Sequence, residues 1–109
     1  MEFRKMQDKV KKAVEEYHLS CGAAVRYIDL VSEIGELGKE ILKETEYGDH
    51  EYTINETSIE EMGDCIFSLL ALCSKMEIDA DSALDYALEK YKKRFCEKGN
   101  ISSERIINR

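Results

Sequence analysis

Residues 59–76 read Ile59-Glu60-Glu61-Met62-Gly63-Asp64-Cys65-Ile66-Phe67-Ser68-Leu69-Leu70-Ala71-Leu72-Cys73-Ser74-Lys75-Met76, and this stretch decides the fold. Met62, Ile66, Phe67, Leu69, Leu70, Leu72, Cys73 and Met76 recur at helical spacing. After Asp64 they cover much of the circumference, so the helix belongs at the centre of a bundle or under an oligomeric partner. Its start is expected at Thr57 or Ser58. Glu60 stands three residues after the first and Glu61 three after the second, so either pair can form a capping box. A Glu61 used in capping would be a poorer metal ligand.

Working outward, the preceding helix is expected over about Ala23–Lys43. Val25, Ile28, Leu30, Val31, Ile34, Leu37 and Ile41 form its apolar surface. Gly35 and Gly38 each weaken that helix by about 1 kcal/mol relative to alanine, and the functional reason to keep them is close helix approach around a site. Glu44 to Thr57 is polar, with Gly48, Asp49 and Asn55 as turn formers, and reads as a connection. The first helix covers about Glu2–Leu19, with Phe3, Met6, Val10, Ala13, Val14 and Tyr17 on one face. Ser20-Cys21-Gly22 breaks it. Asp79 is the expected N-cap of a fourth helix over about Ala80–Phe95, and Gly99 and Asn100 are its stop signals. In the tail from Ile101 to Arg109, Ile106 and Ile107 are the candidates for docking back. Four helices on short connections, without any proline among 109 residues, predict one all-α, four-helix bundle-like domain over 1–109.

Net charge is −7, which disfavours a long polynucleotide as partner. The longest apolar runs are far too short to cross a bilayer. Cys21, Cys65, Cys73 and Cys96 have neither CxxC nor zinc-ligand spacing, and no signal peptide is in view. Reduced, mostly buried cysteines in a cytoplasmic protein are therefore expected.

Two acidic motifs carry the chemistry. Glu33-Ile34-Gly35-Glu36 and Glu61-Met62-Gly63-Asp64 each place two carboxylates three residues apart, on one face of a helix. Glu40 and Glu60 are further candidates in the same neighbourhoods. Unpaired charge among apolar residues is expensive, so two such pairs meeting across a helix interface suit a hard divalent cation such as Mg²⁺. Such ions around a triphosphate neutralise charge and activate water. The competing account is solvated surface acids, with Glu36 paired to Lys39 or Lys43. A di-iron bundle needs two Glu-x-x-His units. Glu15 and His18 supply one, and Tyr47 stands where His50 would need its glutamate. Lys90, Lys92, Lys93 and Arg94 suit a helix C-terminus, and Lys90, Lys93 and Arg94 are also placed to neutralise phosphate.

The order of these motifs resembles the MazG-like family of all-α nucleoside triphosphate pyrophosphohydrolases. The likeness runs from Leu30-Val31-Ser32-Glu33-Ile34-Gly35-Glu36-Leu37 through Glu60-Glu61-Met62-Gly63-Asp64 to Lys90-Tyr91-Lys92-Lys93-Arg94-Phe95, within about residues 23–96. It implies Mg²⁺ held by Glu33, Glu36, Glu61 and Asp64, and cleavage of a nucleoside triphosphate between the α and β phosphates. It further implies phosphate contacts from Lys90, Lys93 and Arg94, and a homodimer or homotetramer. Many members have paired acids where this chain has Ser32-Glu33, and an asparagine where it has Leu88. Phosphoribosyl-ATP is the alternative substrate for the same chemistry, and a catalytically silent helical nucleotide-binding or interaction module is the alternative of another class.

Overall fold

A computed structural model describes residues 2–98 of the chain. The expected stop at Gly99 and Asn100 and the docking of Ile106 and Ile107 lie outside the described residues. The architecture is all-α and four-helix: α1 (Glu2–Glu16), α2 (Ala23–Glu44), α3 (Glu56–Lys75) and α4 (Ala80–Lys98). As the apolar circumference of residues 59–76 requires, α3 is the central element and touches the other three. Among the described residues α2 packs on α3 alone, while α1 also touches α4.

The helix starts are set by side chains. Asn55, not Thr57 or Ser58, is the N-cap of α3. Its Oδ1 accepts from the Ser58 amide at 2.9 Å, and the Asn55 amide donates to Ser58 Oγ at 3.0 Å. Ser58 thus fills the reciprocal position given to a glutamate in the sequence expectation, and Glu61 is left free of capping. Asp79 does stand at the start of α4. Its carboxylate accepts from Ser82 Oγ at 2.7 Å and from Arg4 at 2.6 to 3.2 Å. The Arg4 guanidinium first, then Ser82, hold that carboxyl well below the ordinary carboxylate range.

The helix ends share one design. Leu19 donates to Val14 O, Tyr47 to Leu42 O and Ile78 to Cys73 O, each across five residues, at 2.8 Å. The residues just before them, His18, Glu46 and Glu77, have φ of 57°, 47° and 58°. These are Schellman ends whose left-handed residue is not glycine. They explain why α1 stops at Glu16 rather than near Leu19. α4, by contrast, continues past Phe95 to Lys98.

Gln7 locks α1 to the α3–α4 corner. Its Nε2 donates to Ile78 O at 2.9 Å and to Ser74 Oγ at 3.2 Å, and its Oε1 accepts from the buried Ala80 amide at 2.8 Å. Apolar burial is thin by comparison. Among the described residues the buried apolar side chains are Cys65, Leu70, Ala71 and Ala80. The radius of gyration is 17.0 Å, against about 13 Å for a closed domain near this length. Ile59, Met62, Ile66 and Leu69 on α3, and Val31, Ile34 and Ile41 on α2, follow helical spacings of three, four or seven residues and are all exposed. A Cβ added at Gly35, Gly38 or Gly63 would meet nothing within 4 Å. Within one chain these glycines therefore do not serve close helix approach.

The cysteines are all free, and only Cys65 is buried. Cys21 and Cys73 are partly covered and Cys96 is exposed. Burial pushes the Cys65 and Cys73 thiols up, away from reactivity.

Candidate functional site

α2 and α3 lie antiparallel, and their register is fixed by side-chain pairing. Ser68 Oγ donates to Asp29 Oδ2 at 3.0 Å. One turn further along α2, the charge that weighs most on Glu33 is that of Asp64. Beyond it, Glu36 and Glu40 act on Glu61. Rising numbers on α2 thus meet falling numbers on α3, and the two acidic pairs face each other across one helix interface.

Glu33 and Glu61 are half-buried; Glu36 and Asp64 are exposed. Partial burial raises the carboxyl pKa of Glu33, and repulsion from Asp64, Asp29, Glu61 and Glu36 adds to it. Burial again leads for Glu61, followed by Asp64, Glu36, Glu40 and Glu60. The face concentrates negative charge that the chain itself barely compensates. Lys39 reaches Glu36 at 3.8 Å, an exposed contact of the kind worth at most about 1 kcal/mol. Glu60 is exposed. Glu40 is buried, and its Oε2 has no hydrogen-bond partner.

Among the described residues no three His, Cys, Asp or Glu side chains stand close enough together to hold a metal ion as placed. The donor chemistry nevertheless fits Mg²⁺. The set is all carboxylate oxygen, its members repel one another, and the buried Glu40 beside them has an oxygen without a partner among the described residues. Mg²⁺ keeps several waters and needs only one or two protein carboxylates directly. Glu33, Glu36, Glu61 and Asp64 are the residues that would hold it.

Two clefts border this face. One, of about 340 Å³, is lined by Glu33 and Asp64 together with Arg26, Asp29, Ser68 and Phe67. Arg26 is buried, donates to Leu19 O, and lies 3.6 Å from Asp29. The other, of about 630 Å³, is almost wholly apolar, between Leu37 and Ile41 of α2, Tyr52 and Ile54 of the connection, and Ile59, Met62 and Ile66 of α3. Sequence reasoning missed Arg26, Asp29 and Ser68. Their signal was present, since Asp29 is one turn before Glu33 and Ser68 one turn after Asp64.

The basic cluster lies elsewhere in the single chain. α4 does not touch α2 among the described residues. Lys90 and Arg94 sit over the Tyr91 ring at 4.9 and 5.8 Å, and Lys90 and Lys93 line a separate groove with Tyr86 and Glu89. The structure does not bring Lys90, Lys93 and Arg94 to the acidic pairs within one protomer. His18 is exposed at the end of α1, and His50 contacts Glu46 at 3.1 Å, so neither histidine joins the site.

Compared with family models, residues 25–97 match the MazG nucleotide pyrophosphohydrolase domain. The chain belongs to the MazG family. Searches of curated proteins and of solved structures return no match. The MazG span contains both acidic pairs and the basic cluster and leaves out α1, which Gln7 and Arg4 nonetheless tie to the rest. MazG membership places the chain among hydrolases of the nucleotide pyrophosphohydrolase type. No helix among the described residues is long and apolar enough to cross a membrane.

Proposed function

We propose that this MazG protein is a Mg²⁺-dependent nucleoside triphosphate pyrophosphohydrolase that cleaves between the α and β phosphates, releasing a nucleoside monophosphate and pyrophosphate. The observation that carries this is the meeting of Glu33 and Glu36 with Glu61 and Asp64 across the antiparallel α2–α3 pair, inside the matched family span. Mg²⁺, when bound, supplies positive charge for the phosphate oxygens and lowers the pKa of water. One of the four carboxylates accepts the proton of the attacking water.

The cleft beside Glu33 and Asp64 takes the sugar and base. It offers the Phe67 ring, the apolar Leu19 and Val25, and polar groups on Asp29 and Ser68, the mixture usual for a small-molecule site. Lys90, Lys93 and Arg94 neutralise the departing pyrophosphate. Because α4 does not reach α2 in one chain, they do so from a second copy. The exposed seams Ile59-Met62-Ile66-Leu69 and Val31-Ile34-Ile41 support a homodimer or homotetramer, since so much contiguous apolar surface is unusual on a monomer.

The test is product analysis with a panel of nucleoside triphosphates and phosphoribosyl-ATP. Mg²⁺-dependent release of equal monophosphate and pyrophosphate is expected. Orthophosphate as the primary product refutes the proposal. Glu61→Gln and Asp64→Asn should each lower kcat/KM by about 100-fold, and wild-type turnover in either removes that residue from the chemistry.

A further inference from the structure

Glu40 is the acidic residue that the site described so far does not use. It stands one turn beyond Glu36 on α2, it is only 7% exposed, and its Oε2 lies out of water with no hydrogen-bond partner among the described residues. Among the described residues α2 packs on α3 alone of the helices, and the connection that follows α2 is its next neighbour in the chain. The Glu40 charge is felt at Glu61, so its carboxylate belongs to the acidic face. An ionised carboxylate withdrawn from water needs a compensating charge or donors. Its acidic neighbours Glu36 and Glu61 offer neither, and Lys39 is turned to Glu36.

We propose that Glu40 is a further carboxylate of the cation site, acting with Glu36 and Glu61 on a divalent cation that keeps part of its water shell, at the end of the acidic face nearest the start of α3. The inference rests on the proposed function, because it presumes a cation at this face. It adds a residue that the paired motifs alone do not contain. The same register places Glu40 opposite Ser58 and the first turn of α3, where a carboxylate also favours the helix dipole. A residue serving only that dipole would affect folding but leave cation affinity unchanged, which separates the two roles.

The experiment is titration of the full chain with Mn²⁺, without nucleotide, reading free Mn²⁺ by electron paramagnetic resonance and Tm with and without Mn²⁺. Glu40→Gln should weaken Mn²⁺ binding about tenfold or more and shrink the Mn²⁺-induced rise in Tm. Glu60→Gln, an exposed neighbour, should stay within about twofold of wild type. Should Glu40→Gln fail to fold, Glu40→Asp serves in the same titration: weakened binding in a folded chain supports the role, and unchanged binding overturns it. Wild-type affinity in Glu40→Gln, with affinity lost in Glu61→Gln, overturns the role of Glu40 and leaves the proposed function standing. A wild-type chain that binds no Mn²⁺ overturns both.

Discussion

Replacing Gln7 by leucine should destabilise the chain by about 1–4 kcal/mol, although Gln7 is remote in sequence from every group it holds. The side chain makes three hydrogen bonds, and their losses differ. Ala80 is 4% exposed, so its amide at the start of α4 loses its acceptor where water cannot replace it. That costs about 1–3 kcal/mol. Ile78 O and Ser74 Oγ lie in partly exposed residues, where solvent restores most of each bond, leaving about 0.5–1 kcal/mol apiece. The leucine regains about 1 kcal/mol of apolar burial, which brings the net loss to about 1–4 kcal/mol. Urea unfolding followed by circular dichroism, at one fixed protomer concentration, measures the difference. Ser74→Ala is the internal control, since it removes only the 3.2 Å bond, and should cost under about 1 kcal/mol. A Gln7→Leu chain within 1 kcal/mol of wild type, or no worse than Ser74→Ala, refutes the claim that the α1 clamp depends on the buried Ala80 amide.

Three further outcomes follow from the same structure. Asn55→Ala should cost about 1 kcal/mol by uncapping α3, detected as a lower urea midpoint. Glu33 and Glu61 have carboxyl pKa values raised above the ordinary 4.5. The native chain therefore holds extra protons there, and its cation-free stability should increase as pH falls from neutral through their raised values towards 4.5, and level off below it. Thermal melts in chelator check this, and a Glu33→Gln, Glu61→Gln double variant should lose that rise. Asp79 behaves oppositely. Its pKa is lowered from 3.8 by Arg4 and Ser82, so its contribution is present above 3.8 and disappears as pH falls through the depressed value. Arg4→Ala should flatten that acid limb in the same melts.

The α2–α3 pairing was legible because two different signals coincided. Apolar periodicity defined both helices, and the acidic pairs marked the faces that meet. The start of α3 was misplaced because Thr57 with Glu60 and Ser58 with Glu61 both satisfy the capping pattern. Spacing does not reveal that Asn55 is already extended, with φ −149°, and takes the cap. The C-terminal ends were blurred for a related reason, since the usual glycine is replaced by His18, Glu46 and Glu77. Gln7 gave no signal at all, because its partners are 67 to 73 residues away. On the acidic face, spacing revealed which carboxylates are neighbours but not which is buried. Glu40 was one further candidate on that spacing, with nothing to set it apart from the exposed Glu60. The basic cluster was placed near the site by its order in the chain, while the helix that carries it packs on α1 and α3 instead.

The left-handed helix ends also leave thermostability unclaimed. A residue with a side chain at positive φ costs about 1 kcal/mol relative to glycine, and three of the four such positions, His18, Glu46 and Glu77, lie at the corners where α1, α2 and α3 end. None is among the carboxylates of the acidic face. A chain carrying glycine at all three would withstand heat better with its chemistry untouched, which makes these corners the natural starting point for a hardened variant.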